Sequence, residues 1–264
     1  MSRGKNTSAR VRRRIARWIA PEVEEELRAT KRKLKKARAD KAYELPEEVE
    51  TTIAEVRKEH LTYLKPDNLR ELAGSVLDLE KQGLDGLVIE AGTARGGSAI
   101  VMAAAKAPER PMKVYDVFGM IPPPSEHDGA DVHARYEKIS GGEARGPGGE
   151  TYYGYRDDLL GEVTASFARH GVPVGERNVE LIQGLFQDTI ELDEPVALAH
   201  LDGDWYESTM TCLERIAPLL VDGGRIVLDD YWAWSGCRDA VDDYTAGKAG
   251  LKVERRAKVH IIKL

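Results

Sequence analysis

Five short apolar runs between residues 87 and 231, each closed by glycine or an acid, constrain this chain more than any other feature. They read LVIEAG (87–92), KVYDVFG (113–119), VELIQG (179–184), ALAHLDGD (197–204) and RIVLDDY (225–231). Each is too short for a helix and too continuously apolar for a strand with one wet face. SAIVMAAAKA follows the first run, YESTMTCLERIAPLL the fourth and CRDAVDDYTA the fifth, so strands alternate with helices. That alternation, with strands buried on both faces, predicts a parallel sheet covered by helices. Two last runs, VERRA and VHIIKL, have only Lys258 between them and predict an antiparallel terminal hairpin. Ahead of the first strand, EEVETTIAEVRKEHL and PDNLRELAGSVLDLEKQG space their apolar residues by three and four, which predicts two helices. The expected fold is therefore α/β: a doubly wound sheet, mostly parallel, with N-terminal helices in front and an antiparallel hairpin behind.

Charge divides the chain of 264 residues. Residues 1–41 carry fifteen Lys/Arg and five Asp/Glu, a net of +10, and the remainder carries −16, which together give the overall −6. We place a basic helical arm over 1–45 and one domain over 46–264. Pro21 followed by Glu22, Glu24, Glu25 and Glu26 suits a helix start. The arm fits a solvated helix, a membrane-surface anchor through Arg12–Arg14, Ile15, Trp18 and Ile19, or a docking segment for a partner. Nucleic acid is disfavoured, because the acidic body repels phosphates. No run approaches the ~18 apolar residues of a membrane span, and a cytoplasmic location is expected. Cys212 and Cys237 are too few for a disulfide framework or a zinc site of their own. Residues 119–155, rich in Gly and Pro, form a long irregular segment, read as a lid-like insertion whose Tyr152, Tyr153 and Tyr155 could line an acceptor site.

In a doubly wound sheet the chemistry gathers at the carboxyl ends of the strands. The first strand ends Glu90-Ala-Gly92-Thr93-Ala-Arg-Gly96-Gly97-Ser98 and enters a helix, so a backbone can approach a ligand closely there. An acid at that strand end repels a pyrophosphate and suits an ammonium. Asp116, 26 residues later, ends the second strand, where a carboxylate can accept ribose hydroxyls. Together they favour S-adenosylmethionine over a nicotinamide dinucleotide. Asp202, Asp204, Asp229 and Asp230 close the fourth and fifth strands. Four carboxylates at one cleft repel one another unless neutralised, and an oxygen-only set favours magnesium or calcium. Asp204 has a second reading, as the cap of the helix that follows it. Tyr231, Trp232 and Trp234 fit either a core or a binding wall. His200 reads as a packed strand residue, while His127 and His133 lie in the insertion and offer alternatives to Asp204 as a base.

These stretches resemble the macrocin O-methyltransferase family, metal- and S-adenosylmethionine-dependent enzymes that methylate sugar hydroxyls of glycosylated natural products. The matching segments are VIEAGTARGGSA, VYDVFGMIP, LIQGLFQDTI and HLDGDWYESTMTCLERIAPLLVDGGRIVLDDYWAWSGCRDAVDDY, over roughly 87–122 and 179–244. The resemblance implies the class I methyltransferase, Rossmann-like form of the doubly wound sheet. It implies Asp202, Asp229 and Asp230 as metal ligands, and Asp204 and Asp202 as the catalytic residues, with Asp204 the candidate general base. Glu90, Gly92, Thr93, Gly97, Ser98, Asp116, Gly184, Phe186 and Asp202 are the implied cofactor contacts. A small glycosylated acceptor and a homo-oligomeric enzyme are expected. A catechol-like diol, a polysaccharide or a sugar nucleotide is the alternative acceptor, and a non-catalytic cofactor-binding scaffold the alternative role.

Overall fold

The computed structural model describes residues 43–264; the basic arm, its Pro21 helix start and its anchoring residues lie outside them. Residues 44–264 form one compact unit. Two helices come first, α1 (Glu47–Lys58) and α2 (Pro66–Gln82). Proline opens α2 and Gly83, in the left-handed region, closes it, as the start and stop residues predict. Then β1 (Leu87–Ala91), α3 (Gly97–Ala105) and β2 (Met112–Asp116) follow, with α4 (Ala130–Ser140), α5 (Leu159–Arg169) and β3 (Val179–Gln183) behind them. The single turn α6 (Phe186–Thr189), β4 (Val196–Leu201), α7 (Tyr206–Ile216), β5 (Leu220–Leu228), α8 (Ser235–Thr245), β6 (Leu251–Arg255) and β7 (Val259–Lys263) complete the order.

The seven strands lie in the order β3-β2-β1-β4-β5-β7-β6. The first five are parallel, and β7 is antiparallel to both β5 and β6. The expected hairpin is present, although its first strand starts at Leu251, two residues before the VERRA run. Strand alternation sends Val88, Val114, Leu198 and Val227 into a core with α1–α3 and α5. Ile89, Ala91, Ala199, Leu201, Ile226 and Leu228 pack in a second core that includes residues of α7 and α8. Helices on both faces explain why the strands read as unbroken apolar runs.

Residues 119–155 are not the irregular segment that their Gly and Pro content suggests. They contain α4 and two short 3₁₀ turns, Pro147–Gly149 and Tyr153–Tyr155. A third core of Ile121, Val132, Ile139, Ala144, Tyr152 and Trp205 holds them down. Val132 and Ile139 are spaced seven apart, two turns on one face, a stripe too thin to stand out in the sequence. Helix α5 was hidden for another reason: its apolar residues Leu159, Val163 and Phe167 stand among Gly, Thr and Ser.

Candidate active site

Hydrogen bonding continues one residue past the strands and lays their acid-bearing ends side by side. Gly92 N donates to Tyr115 O at 2.8 Å, Asp202 N to Ala91 O at 2.9 Å, Asp229 N to Leu201 O at 2.9 Å and Gly184 N to Asp116 O at 3.0 Å. Gly92 has φ +88°, and a Cβ there would overlap the carbonyl oxygen of Asp202. Glycine is thus required where β1 and β4 close together. Ala94, Phe118 and Asp204 also hold positive φ, at 48°, 46° and 57°. Backbone strain of this kind gathers at functional sites.

A cleft opens over these ends, lined among others by Gly92, Asp116, Tyr153, Phe186, Asp202 and Asp204. Asp116 anchors the glycine loop: Oδ2 accepts Thr93 N at 2.7 Å and Ala94 N at 3.1 Å, and Oδ1 accepts Phe118 N at 2.7 Å. Burial raises its pKa against the pull of those three amides. A carboxylate has about four lone-pair sites, so Asp116 has little capacity left for both hydroxyls of a ribose. Glu90 does not line the cleft. It is fully buried, with one oxygen taking the Ser98 hydroxyl and the other 3.0 Å from His200 Nδ1. Gly97 serves packing, since a Cβ would come within 2.7 Å of Leu61 O. Thr93 is buried with its hydroxyl unpartnered among the described residues, and Gly184 sets the turn before the lining residues Leu185 and Phe186.

Carboxylate oxygens of Asp202, Asp204 and Asp230 lie within 4.8 Å of one another. Burial, then the charges of their neighbours, pushes the pKa of Asp202 and of Asp230 well up, and that of Asp204 to about 8. Asp230 Oδ2 is buried with no hydrogen-bond donor among the described residues. An all-oxygen set under such mutual repulsion fits a hard divalent cation. Asp229 stands beside this trio rather than in it. Its Oδ1 is 2.6 Å from Lys258 Nζ and 3.4 Å from His200 Nε2. Burial works against its charge, but His200 and Lys258 prevail and hold its pKa low. The converse holds for His200: burial disfavours its charge, yet Glu90 and Asp229 raise its pKa to about 10.

Asp204 does not cap α7; the N-cap is Trp205, and Asp128 of the insertion accepts Tyr206 N at 2.9 Å. Asp131 likewise accepts Ser235 N at 3.0 Å at the start of α8. The insertion thus caps both helices that follow the acid loops. None of the three aromatics after β5 is among the residues lining the cleft. Tyr231 is buried with its hydroxyl on Asp242, whereas Trp232 is 54% exposed. Trp234 packs edge-on against Trp205, with ring centroids 6.0 Å apart. His127 is exposed and engages Glu207 at 2.8 Å, His133 is exposed on α4, and neither lines the cleft. Sequence reading missed the pairing of Glu90 and His200, which the strand register brings directly opposite each other. It also missed Lys258, for which a lone lysine in a hairpin turn gives no signal.

Relatives with known roles share this architecture. Solved structures of the same fold include the O-methyltransferase NovP, with TM-score 0.64, 24% identity and coverage of 79% of this chain and 87% of that one. CalS11, a calicheamicin methyltransferase, superposes with TM-score 0.54 at 17% identity, over 83% of this chain and 94% of that one. Both mark the sheet as a class I methyltransferase fold. Among curated proteins, a tetracenomycin rhamnosyl 4'-O-methyltransferase of Streptomyces olivaceus is 35% identical over 191 residues, 70% of this chain and 66% of that protein. Demethyldecarbamoylnovobiocin O-methyltransferase of Streptomyces niveus is 29% identical over 192 residues, 68% of this chain and 64% of its own length. The chain therefore spans just under two thirds of the length of these relatives. The macrocin-O-methyltransferase family model matches residues 5–253, from the basic arm through both acid loops to β6, and the chain belongs to that family.

Proposed function

We propose that this chain is an S-adenosylmethionine- and divalent-metal-dependent O-methyltransferase that methylates a sugar hydroxyl of a small glycosylated natural product. The observation that carries the reading is the convergence of Asp202, Asp204 and Asp230, the first two of which line the cleft that Asp116 also borders. The relatives' names support the acceptor class: one acts on a rhamnosyl tetracenomycin and another is a mycinamicin III 3''-O-methyltransferase. The reading carries with it a cytoplasmic, homo-oligomeric enzyme, in keeping with two buried, unpaired thiols.

Asp202 and Asp230, joined by Asp229 from beside the cluster, would hold magnesium or calcium, and Asp204, the third member of the cluster, would be the proton acceptor. Such a cation, when bound, lowers the pKa of a hydroxyl and stabilises the charge that develops on its oxygen. The other tasks fall to side chains. Methyl transfer is an in-line displacement, so the cleft walls mainly hold an acceptor oxygen in line with the methyl carbon. Asp116 fixes the glycine loop, and Phe186 offers a flat apolar face to an adenine. Asp204 lines the cleft with a carboxylate oxygen within 4.8 Å of those of Asp202 and Asp230, where it could take the acceptor's hydroxyl proton once a cation offsets the crowding of these acids. The ordered insertion, tied down by Trp205 Nε1 donating to Pro122 O at 3.0 Å, supplies Ile121, Pro122 and Tyr153 to the cleft wall.

Calorimetry with S-adenosylhomocysteine and then magnesium tests the reading. Asp230→Ala should lose magnesium binding while cofactor-analogue affinity stays within a few-fold. Asp204→Asn should keep magnesium and lose turnover. A wild type that binds the analogue with magnesium absent from every titration, with or without acceptor, would point to a metal-free transferase or a scaffold.

A further inference from the structure

We propose that His200 is a positioning residue for the Asp229 carboxylate, and that Glu90 serves this task by fixing the His200 ring. The inference rests on Asp229 as a metal ligand, as read above.

Register explains how three residues from three strands form one line. Glu90 on β1 is the cross-strand partner of His200 on β4, and His200 that of Val227 on β5. Side chains alternate with a period of two, so Glu90, His200 and Val227 share a face, and Asp229, two residues on, continues it. The imidazole carries its nitrogens on opposite edges of a rigid plane and can span two carboxylates. Nδ1 is 3.0 Å from Glu90 Oε2, and Nε2 is 3.4 Å from Asp229 Oδ1. Glu90 cannot turn away, because its other oxygen takes the Ser98 hydroxyl at the start of α3. His200 is 1% exposed and Glu90 0%, so water does not compete for these contacts. Lys258 holds Asp229 from the hairpin turn, with Nζ 2.6 Å from Oδ1 and 2.8 Å from the backbone oxygen. Both nitrogens approach the same oxygen, Oδ1, as close polar contacts rather than aligned hydrogen bonds, which leaves Oδ2 as the oxygen to present to a cation. Partners behind a metal-binding group orient it in this way.

Glu90 acquires a different task from the one its strand end suggests. Both its oxygens are spent on protein, and it does not border the cleft. Its effect is expected on the metal rather than on the ammonium of the cofactor.

A competing account makes His200 only a counter-charge, and the two differ in sign. Removing a mere counter-charge relieves repulsion of an incoming cation and tightens magnesium binding. Removing a positioning group weakens it, by about 10- to 100-fold. The experiment is magnesium calorimetry on the S-adenosylhomocysteine complex of wild type, His200→Leu, His200→Gln and Glu90→Gln. His200→Leu should weaken magnesium by that factor, His200→Gln, which keeps one donor, by less, and analogue affinity should stay within a few-fold in both. Glu90→Gln should also weaken magnesium more than the analogue. Equal or tighter magnesium binding in both His200 variants overturns the proposal, as does a Glu90→Gln variant that loses the analogue and keeps magnesium. If His200→Leu does not fold, the wild type supplies the readout: the His200 ring nitrogens should shift in a proton–nitrogen spectrum on adding magnesium, relative to His170, and a static signal counts against the proposal. Failure of wild type itself to bind magnesium removes the metal reading instead.

Discussion

At the scale of single residues, the same side-chain type does different work according to its neighbours. Asp116 is a buried carboxylate satisfied by three backbone amides, and its first duty is to hold the glycine loop. Asp116→Ala therefore removes a loop anchor as well as any ribose contact. We expect S-adenosylhomocysteine affinity to fall at least tenfold, about 1.4 kcal/mol, with magnesium affinity much less affected; calorimetry showing unchanged analogue affinity would free Asp116 from the cofactor site. Asp229 differs from Asp230 although the two adjoin in sequence, because Lys258 and His200 reach only the first. No spacing rule could separate these neighbours, since their partners come from β4 and from the β6–β7 turn.

At the scale of elements, the site depends on how tightly the ends of β1 and β4 close. Gly92 is the test position, with φ +88° and the Asp202 carbonyl where a Cβ would go. Gly92→Ala should destabilise the fold by about 3 kcal/mol or more, as strain and a backbone clash combine. Gly83, at φ +65° with nothing within 4 Å of a built Cβ, provides the control. Gly83→Ala should cost only about 1 kcal/mol, from backbone strain alone. Urea midpoints compare the two, and similar losses would mean that the β1–β4 closure is loose. The alternation of apolar runs announced these strands because burial on both faces demands it. The insertion was misjudged because its order comes from contacts that lie far off in sequence, such as Trp205 on Pro122 and Asp131 on Ser235.

At the scale of the whole molecule, the clustered acids make stability depend on pH. Asp204 is raised to about 8 from an ordinary 3.8, so the folded state holds its proton more tightly than the unfolded chain. His200, raised to about 10 from 6.5, does the same over its own range. For a group whose folded pKa is raised, stability falls as pH rises between its unfolded and folded values. With chelator present, the thermal midpoint should therefore drop between about pH 6 and pH 9 by several degrees, at roughly 2–4 °C for each kcal/mol in a domain of this size. Saturating magnesium should flatten the slope. A midpoint that rises with pH under chelation would contradict the crowding of these carboxylates. Removing residues 1–42 should leave the fold and S-adenosylhomocysteine binding intact, because every residue lining the cleft lies at Gly92 or beyond. Loss of binding in that truncation would give the basic arm a part in the site.

The sequence by itself determined the parallel sheet, the closing hairpin and the strand ends at which acids gather. Those features are local: they follow from apolar runs, turn residues and a period of two or 3.6. Only the tertiary structure decided which acids face one another and which are already spoken for. Asp202, Asp204 and Asp230 converge, while Asp229 is approached by Lys258 and His200, and Glu90 is buried against Ser98 and His200. Strand register and the antiparallel return of β7 make that choice, by bringing His200 and Lys258 to one carboxylate oxygen. Such pairing is a contact across 29 to 110 residues of chain. It arises when the sheet assembles, and no local pattern encodes it.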